Sequence, residues 1–153
     1  MPAYSFQQRF VPFVKDGSKP HTVRNRRKNF CKIGDTCYLY YGLRTKWVTK
    51  LGESPCINTH SIAIDNFLGI LFYSRLLNNQ ELYLAKCVPG HVSLPVCKIL
   101  TPDERNTFAW MDGFRPEGST KESPGEAYEL MIRFWTITHQ LPWAGDIIYW
   151  KPF

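Results

Sequence analysis

Several polar side chains of different chemistry stand close together near the start of the chain. Between Gly17 and Arg24 the sequence places Lys19, His21 and Thr22, so that an amine, an imidazole, a hydroxyl and a guanidinium fall within six residues. Gly17 predicts a turn, because glycine adopts positive φ at little cost. In the extended segment that follows, alternate side chains point to the same side, so Thr22 and Arg24 are expected to share a face. These groups can hold a phosphate, polarise a carbonyl oxygen or contact the edge of a base.

Basic charge is concentrated in the first third of the chain. Residues 1–50 contain 11 Lys/Arg and two Asp/Glu, whereas residues 51–153 contain eight and 11, giving a net charge of +6. This asymmetry favours a polyanionic partner, because neutralising phosphates releases counterions. A solvated basic turn without any partner explains the same charges, so charge alone does not decide between the two.

A nucleic-acid interface would use the basic segment and its neighbours. Arg44 lies on a later turn, and Tyr40 on the strand before it offers an aromatic surface on which a base can stack. We therefore expect RNA or a nucleoside as the ligand. The expected contacts are Lys19, Thr22, Arg24, Arg26, Arg27, Lys28, Tyr40 and Arg44.

Length and composition bound the remaining possibilities. A chain of 153 residues with 44% hydrophobic residues predicts a single domain over residues 1–153 with a real core. No apolar run approaches the roughly 18 residues of a membrane span, and no charged, apolar leader precedes the domain, so we expect no membrane and a cytoplasmic location. The histidines and cysteines lack recognisable ligand spacing, which predicts neither a metal nor a cofactor and leaves the thiols as buried structural groups. The cysteines are Cys31, Cys37, Cys56, Cys87 and Cys97.

The apolar patterns predict short strands throughout, with most of the helices late in the chain. Strands are expected at residues 4–6, around 23, and at 36–41, 47–49, 56–64, 68–73 and 146–150, with a Gly52–Pro55 turn separating the fourth from the fifth. Helices are expected at residues 10–14, at 81–86 after an Asn cap, from the Thr101 capping box to Gly113, and after Ser123-Pro124 with an apolar stripe. The members of that stripe are Ala127, Leu130, Met131, Phe134 and Ile137. This order predicts an α+β fold with a mostly antiparallel, barrel-like sheet.

Several motifs follow one another in a familiar order. They are Phe6, Arg9-Phe10, Gly17-x-Lys19-x-x-Thr22-x-Arg24, Gly34-Asp35-Thr36-x-Tyr38-Leu39-Tyr40, Ala109-x-x-Asp112-Gly113-Phe114 and Pro142-Trp143-x-Gly145-x-Ile147-x-x-Trp150. This order resembles the ASCH domain, a branch of the PUA-like superfamily, over nearly the whole chain. One departure is that the family usually has Lys-Thr where this chain has Lys19-Pro20.

The resemblance implies a small PUA-like β-barrel with surrounding helices and a cleft for RNA or a nucleotide-derived ligand. Some members of the family are similar to amidohydrolases that remove the acetyl group of N4-acetylcytidine with a Lys, a Thr and a carboxylate. Lys19 and Thr22 match the first two, and Asp112 is the nearest candidate for the carboxylate, where the family has Glu. Other relatives resemble ribonucleases.

Three functions therefore stay open. A binding module would use the Lys19–Arg24 cleft for RNA or a modified nucleoside, with Lys19 and Asp112 as an ion pair that shapes it. An amidohydrolase would use Lys19 as a base for Thr22 or for a water, with Arg24 or a backbone N–H stabilising the oxyanion. A protein-interaction module would use the basic face without stacking a base. The sequence predicts nothing about the oligomeric state.

Overall fold

The computed structural model describes residues 2–152. The strands are β1 Ala3–Phe6, β2 His21–Arg24, β3 Thr36–Tyr41, β4 Thr49–Asp65, β5 Gly69–Tyr73, β6 Val96–Ile99 and β7 Trp143–Trp150. The helices are α1 Val11–Lys15, α2 Asn79–Cys87, α3 Pro102–Met111 and α4 Ala127–Thr138, with a 3-10 turn Gln8–Phe10 before α1. No helix in these residues is long and apolar enough to cross a membrane.

The seven strands form one sheet. The main path runs β1-β3-β4-β5-β6, while β7 pairs with β4, and β2 joins through β7. Only the β1–β3 pair is parallel, and the remaining pairs in the described residues are antiparallel. The predicted α+β, mostly antiparallel fold is therefore confirmed. The predicted barrel is not confirmed, because β1 and β6 are the open ends of the path.

A single 17-residue strand, β4, replaces the two strands predicted on either side of Gly52–Pro55. That prediction was wrong because Gly52 and Pro55 both lie within the strand. Gly52 stands next to a bulge, and Pro55 stands where the strand changes its pairing partner. The β3 register shifts so that Leu39 faces Gly52 while Tyr40 faces Lys50. Beyond Pro55 the strand leaves β3 and pairs with β7. The long β4 therefore links the part of the sheet that contains β1 and β3 to the part that contains β5 and β7.

Helices α3 and α4 pack together on the main core. Helix α3 begins at the predicted Thr101–Glu104 capping box. Helix α4 differs from the prediction, since Glu126 rather than Ser123 precedes it and Ile137 is 84% exposed. The buried stripe of α4 is Ala127, Met131 and Trp135, spaced by four residues as a helical face requires.

Candidate functional site

A pocket of about 300 Å³ lies where β1, β2, the end of α3, α4 and the start of β7 meet. Its aromatic walls are Phe6, Phe10, Phe114, Phe134, Trp135 and Trp143. Its polar lining is Ser5, Gln7, Lys19, Thr22, Arg24, Asn25, Asp112 and His139. An apolar cavity with a few convergent polar groups is typical of a site for a small ligand.

A buried ion pair stands in this pocket. Lys19 Nζ lies 2.6 Å from Asp112 Oδ1 and also donates to the Asp112 backbone oxygen at 2.7 Å. Their side chains are 4% and 7% exposed, so the charges are shielded from water. His21 stands behind the pair, with Nε2 at 3.2 Å from the same Oδ1. The His21 ring stacks on Phe108.

The turn before β2 fixes the position of Lys19. Gly17 has φ +80°, which reverses the chain after α1, as predicted. The Lys19 backbone N–H donates to Phe13 O at 2.9 Å, and Pro20 O accepts from the backbone N–H of Trp150 at 3.1 Å. The segment is therefore tied to both a helix and a strand, and the Lys19 side chain enters the pocket from a rigid backbone.

The C-terminus of α3 fixes the position of Asp112. The Asp112 N–H closes the last helical turn on Phe108 O, and Gly113 then leaves the helix with φ +107°. A Cβ at position 113 would stand 2.5 Å from Cδ1 of Phe10, so the phenyl ring packs directly on the glycine. Only glycine adopts this positive φ at little cost and also leaves room for the Phe10 ring.

At each residue of the pair, burial and the neighbouring charge shift the pKa in opposite directions. Burial lowers the pKa of Lys19 below 10.5, although Asp112 opposes the shift. Burial alone would raise the pKa of Asp112, but the neighbouring Lys19 and His21 hold it below its ordinary value. Burial also lowers the pKa of His21. The arrangement favours an anionic Asp112 and an amine that gives up its proton more readily than an exposed lysine.

The hydroxyl of Thr22 is held by Arg24, and both side chains lie on the expected common face of β2. Arg24 Nε donates to Thr22 Oγ1 at 2.9 Å, while its Nη2 donates to Ser5 O at 2.8 Å. Burial lowers the pKa of Arg24 to about 10, which leaves the guanidinium charged at neutral pH. A fixed cation beside a nucleophilic hydroxyl is placed to stabilise the negative charge that develops on the carbonyl oxygen when the hydroxyl attacks it.

The comparisons with known proteins gave no match. No family model, no curated protein and no solved structure matches this chain. The geometry of the site is therefore what bears on its function.

The other residues expected to contact nucleic acid lie outside the pocket. Arg26 is paired with Asp146 at 2.5 and 2.8 Å, and Arg27 donates to Ala3 O at 2.6 Å. Lys28 and Arg44 are exposed, and Tyr40 is partly buried on β3 without lining the pocket. Arg26 and Arg27 thus have structural partners, whereas Lys28 and Arg44 belong to the solvated surface.

Sequence reasoning missed the aromatic walls of the pocket. Phe134 and Trp135 come from α4 and Trp143 from the start of β7, more than 100 residues after Lys19. Most of the wall residues stood in the motifs or in the predicted apolar stripe of the last helix, where they read equally well as core residues. Trp135 Nε1 is buried and finds no acceptor among the described residues.

Proposed function

We propose that the pocket binds one modified nucleoside and hydrolyses an acyl amide on its base, as in N4-acetylcytidine. The observation that carries this proposal is the buried Lys19–Asp112 pair in the same pocket as the Thr22 hydroxyl. An ion pair that merely supported the fold would not need to line a cavity beside a nucleophile. Buried titratable groups with shifted pKa values in a pocket are typical of catalytic sites.

The size and the walls of the pocket support a nucleoside. About 300 Å³ is at the lower end of the range for small-molecule sites, which fits a single base with its sugar better than a folded RNA. Aromatic walls offer surfaces on which a base stacks, each worth about 1–3 kcal/mol.

Lys19 is the proposed base. A neutral lysine amine has two hydrogens and one lone pair. The backbone oxygen of Asp112 lies 2.7 Å from Nζ and its Oδ1 lies 2.6 Å from Nζ, so both hydrogens are held by the same residue. In the proposed mechanism the remaining lone pair takes the proton of Thr22, and burial, by lowering the pKa of Lys19, makes the neutral amine easier to form than in an exposed lysine.

The reaction divides into two balanced steps. Thr22 Oγ attacks the acyl carbon, its proton passes to Lys19, and Arg24 stabilises the oxyanion. Collapse of this intermediate breaks the C–N bond, Lys19 returns the proton to the leaving amine, and the acyl group stays on Thr22 as an ester. A water then attacks the ester with Lys19 again as the base, which releases the carboxylic acid and restores the Thr22 hydroxyl.

The proposal includes membership of the ASCH group, with a PUA-like barrel. It is supported by the motif order and by the meeting of Lys19, Thr22 and Asp112 in one pocket. Asp112 is one methylene shorter than the family's Glu, yet its carboxylate reaches Lys19 at 2.6 Å. The shorter side chain therefore does not prevent the contact that the chemistry needs.

A nucleoside within RNA is the second form of the same ligand. Exposed Arg9 favours it, because its guanidinium lies 5.1 Å from the ring centres of both Phe10 and Phe114, two residues of the pocket wall. A phosphate beside the bound nucleoside would meet this cation. Comparing N4-acetylcytidine with an oligonucleotide that carries the same base distinguishes the two forms.

Two substitutions at Thr22 test the hydrolysis. Thr22→Ser keeps the hydroxyl and is expected to retain release of cytidine and acetate from N4-acetylcytidine. Thr22→Val keeps the shape without the hydroxyl and is expected to lose turnover by at least about 100-fold while still binding the nucleoside. Equal turnover by the valine variant would exclude Thr22 as the nucleophile, and no turnover by the wild-type protein would contradict the proposal.

A further inference from the structure

Three cysteines outside the pocket form a compact cluster. Cys31 lies in the loop between β2 and β3, Cys37 in β3 and Cys56 in β4, and their Sγ atoms all lie within 4.8 Å of one another. The Cys31 and Cys37 sulfurs are 3.7 Å apart. Each residue is at most 4% exposed. We propose that these three sulfurs bind one soft, thiophilic metal ion of the Cu(I) class.

The backbone holds the cluster in place without a metal. The turn at residues 32–35 is clamped to β4, because Gly34 N–H donates to Cys56 O at 2.9 Å and Cys56 N–H donates to Asp35 O at 2.7 Å. Within the turn, Asp35 Oδ2 accepts from the Lys32 N–H at 2.9 Å. Two adjacent strands and a locked turn therefore present the sulfurs from three directions, and an ion would bind without rearranging the chain.

The distances suit a three-sulfur site. Metal–sulfur bonds of about 2.3 Å in a trigonal plane place the sulfurs about 4.0 Å apart. The observed Cys31–Cys37 separation of 3.7 Å is close to that value and well beyond the roughly 2.05 Å of a disulfide bond. The third sulfur lies within 4.8 Å of both others, at most slightly beyond that spacing.

The donor set selects the metal. Thiolates prefer Cu(I), zinc and iron–sulfur clusters, whereas carboxylates and carbonyls suit harder ions. Structural zinc takes four ligands, and within residues 2–152 no histidine nitrogen or carboxylate joins the three sulfurs. A set of three sulfurs in a buried site therefore favours Cu(I), which binds stably with two or three soft ligands.

Binding of the metal is coupled to the release of protons. Each sulfur that binds as a thiolate releases one proton to the solvent, and no electron is transferred.

The test is an anaerobic titration of the reduced protein with Cu(I) in competition with a chelator of known affinity. Exposed Cys87 and Cys97 provide the matched control. Cys87→Ser/Cys97→Ser is expected to bind one Cu(I) per chain, to release protons and to unfold at a higher temperature with the metal. Excess Zn(II) is expected to leave the Cu(I) in place.

A second variant, Cys31→Ala in the same background, is expected to lose this binding while keeping the wild-type far-UV circular dichroism. Cys31 lies in a loop, so its removal disturbs the sheet less than removal of Cys37. Stoichiometric binding that survives Cys31→Ala would overturn the proposal. So would absence of binding by Cys87→Ser/Cys97→Ser, or displacement of the Cu(I) by Zn(II).

Discussion

Lys19 Nζ lies 2.6 Å from Asp112 Oδ1, although the two residues stand 93 positions apart in the chain. Lys19 comes from the turn before β2 and Asp112 from the C-terminus of α3. Both side chains are nearly inaccessible to water. This contact joins the sheet to the helical layer and places an amine of lowered pKa in an aromatic pocket.

Breaking this pair from one side is expected to cost stability. Lys19→Met leaves the Asp112 carboxylate buried without its cation, which typically costs about 3–5 kcal/mol. Lys19→Met/Asp112→Leu removes both charges and is expected to regain most of that loss. Denaturant unfolding of the two variants measures the difference, and equal destabilisation would contradict the importance of the pair.

The pH dependence of turnover is expected to report Lys19. The neutral amine is the active form, so kcat/KM rises with pH to a midpoint below 10.5, because burial lowers the pKa of Lys19. Asp112 opposes that shift by stabilising the charged amine. Asp112→Asn therefore moves the midpoint to still lower pH, even though the maximal rate falls. A midpoint that stays in place in this variant would exclude Lys19 as the titrating base.

The pocket wall is expected to bind the base by stacking. Phe134 is half-buried and lines the pocket, so Phe134→Ala is expected to weaken binding of the nucleoside by about 1–3 kcal/mol, or roughly 5- to 150-fold. Tyr40→Ala is the matched control, because Tyr40 lies outside the pocket on β3. Titration calorimetry measures both, and a larger effect at Tyr40 would place the ligand on the outer face of the sheet.

Gly113 is expected to be indispensable for the position of Asp112. Gly113→Ala combines a left-handed φ of +107° with a close contact to Phe10 and is expected to lower both stability and turnover. Gly118→Ala also has positive φ but meets no atom within 4 Å, so it costs only the backbone strain of about 1–2 kcal/mol. Thermal unfolding compares the two variants. Equal losses would show that the Phe10 contact is unimportant.

Local chemistry made much of the fold predictable. Strand β3 ends where its β-branched and aromatic run ends, and the caps at Asn78 and Thr101 start their helices as expected. The continuous β4 was missed because Gly52 and Pro55 indicate a turn, and only the β3 and β7 partners show that the strand continues. Edge strand β6 was missed because Pro95 directly precedes four residues with a weak pattern.

The candidate site was predictable only in part, because it also depends on contacts between segments that are distant in the chain. Lys19 and Thr22 lie in one short motif, and Asp112 was reached through motif order rather than through any contact visible in the sequence. The aromatic walls and the cluster of Cys31, Cys37 and Cys56 arise from long-range pairing of separate segments. No local spacing of residues encodes either of them.

The most direct test of the proposed hydrolysis is release of cytidine and acetate from N4-acetylcytidine by the wild-type protein and by Lys19→Met. Nucleoside binding is measured on both proteins to separate chemistry from affinity. The proposed mechanism predicts turnover by the wild-type protein and a loss of at least about 100-fold in the variant, with binding retained. Equal rates in the two proteins, or binding without any release at high enzyme concentration, would contradict the assignment of Lys19 as the catalytic base.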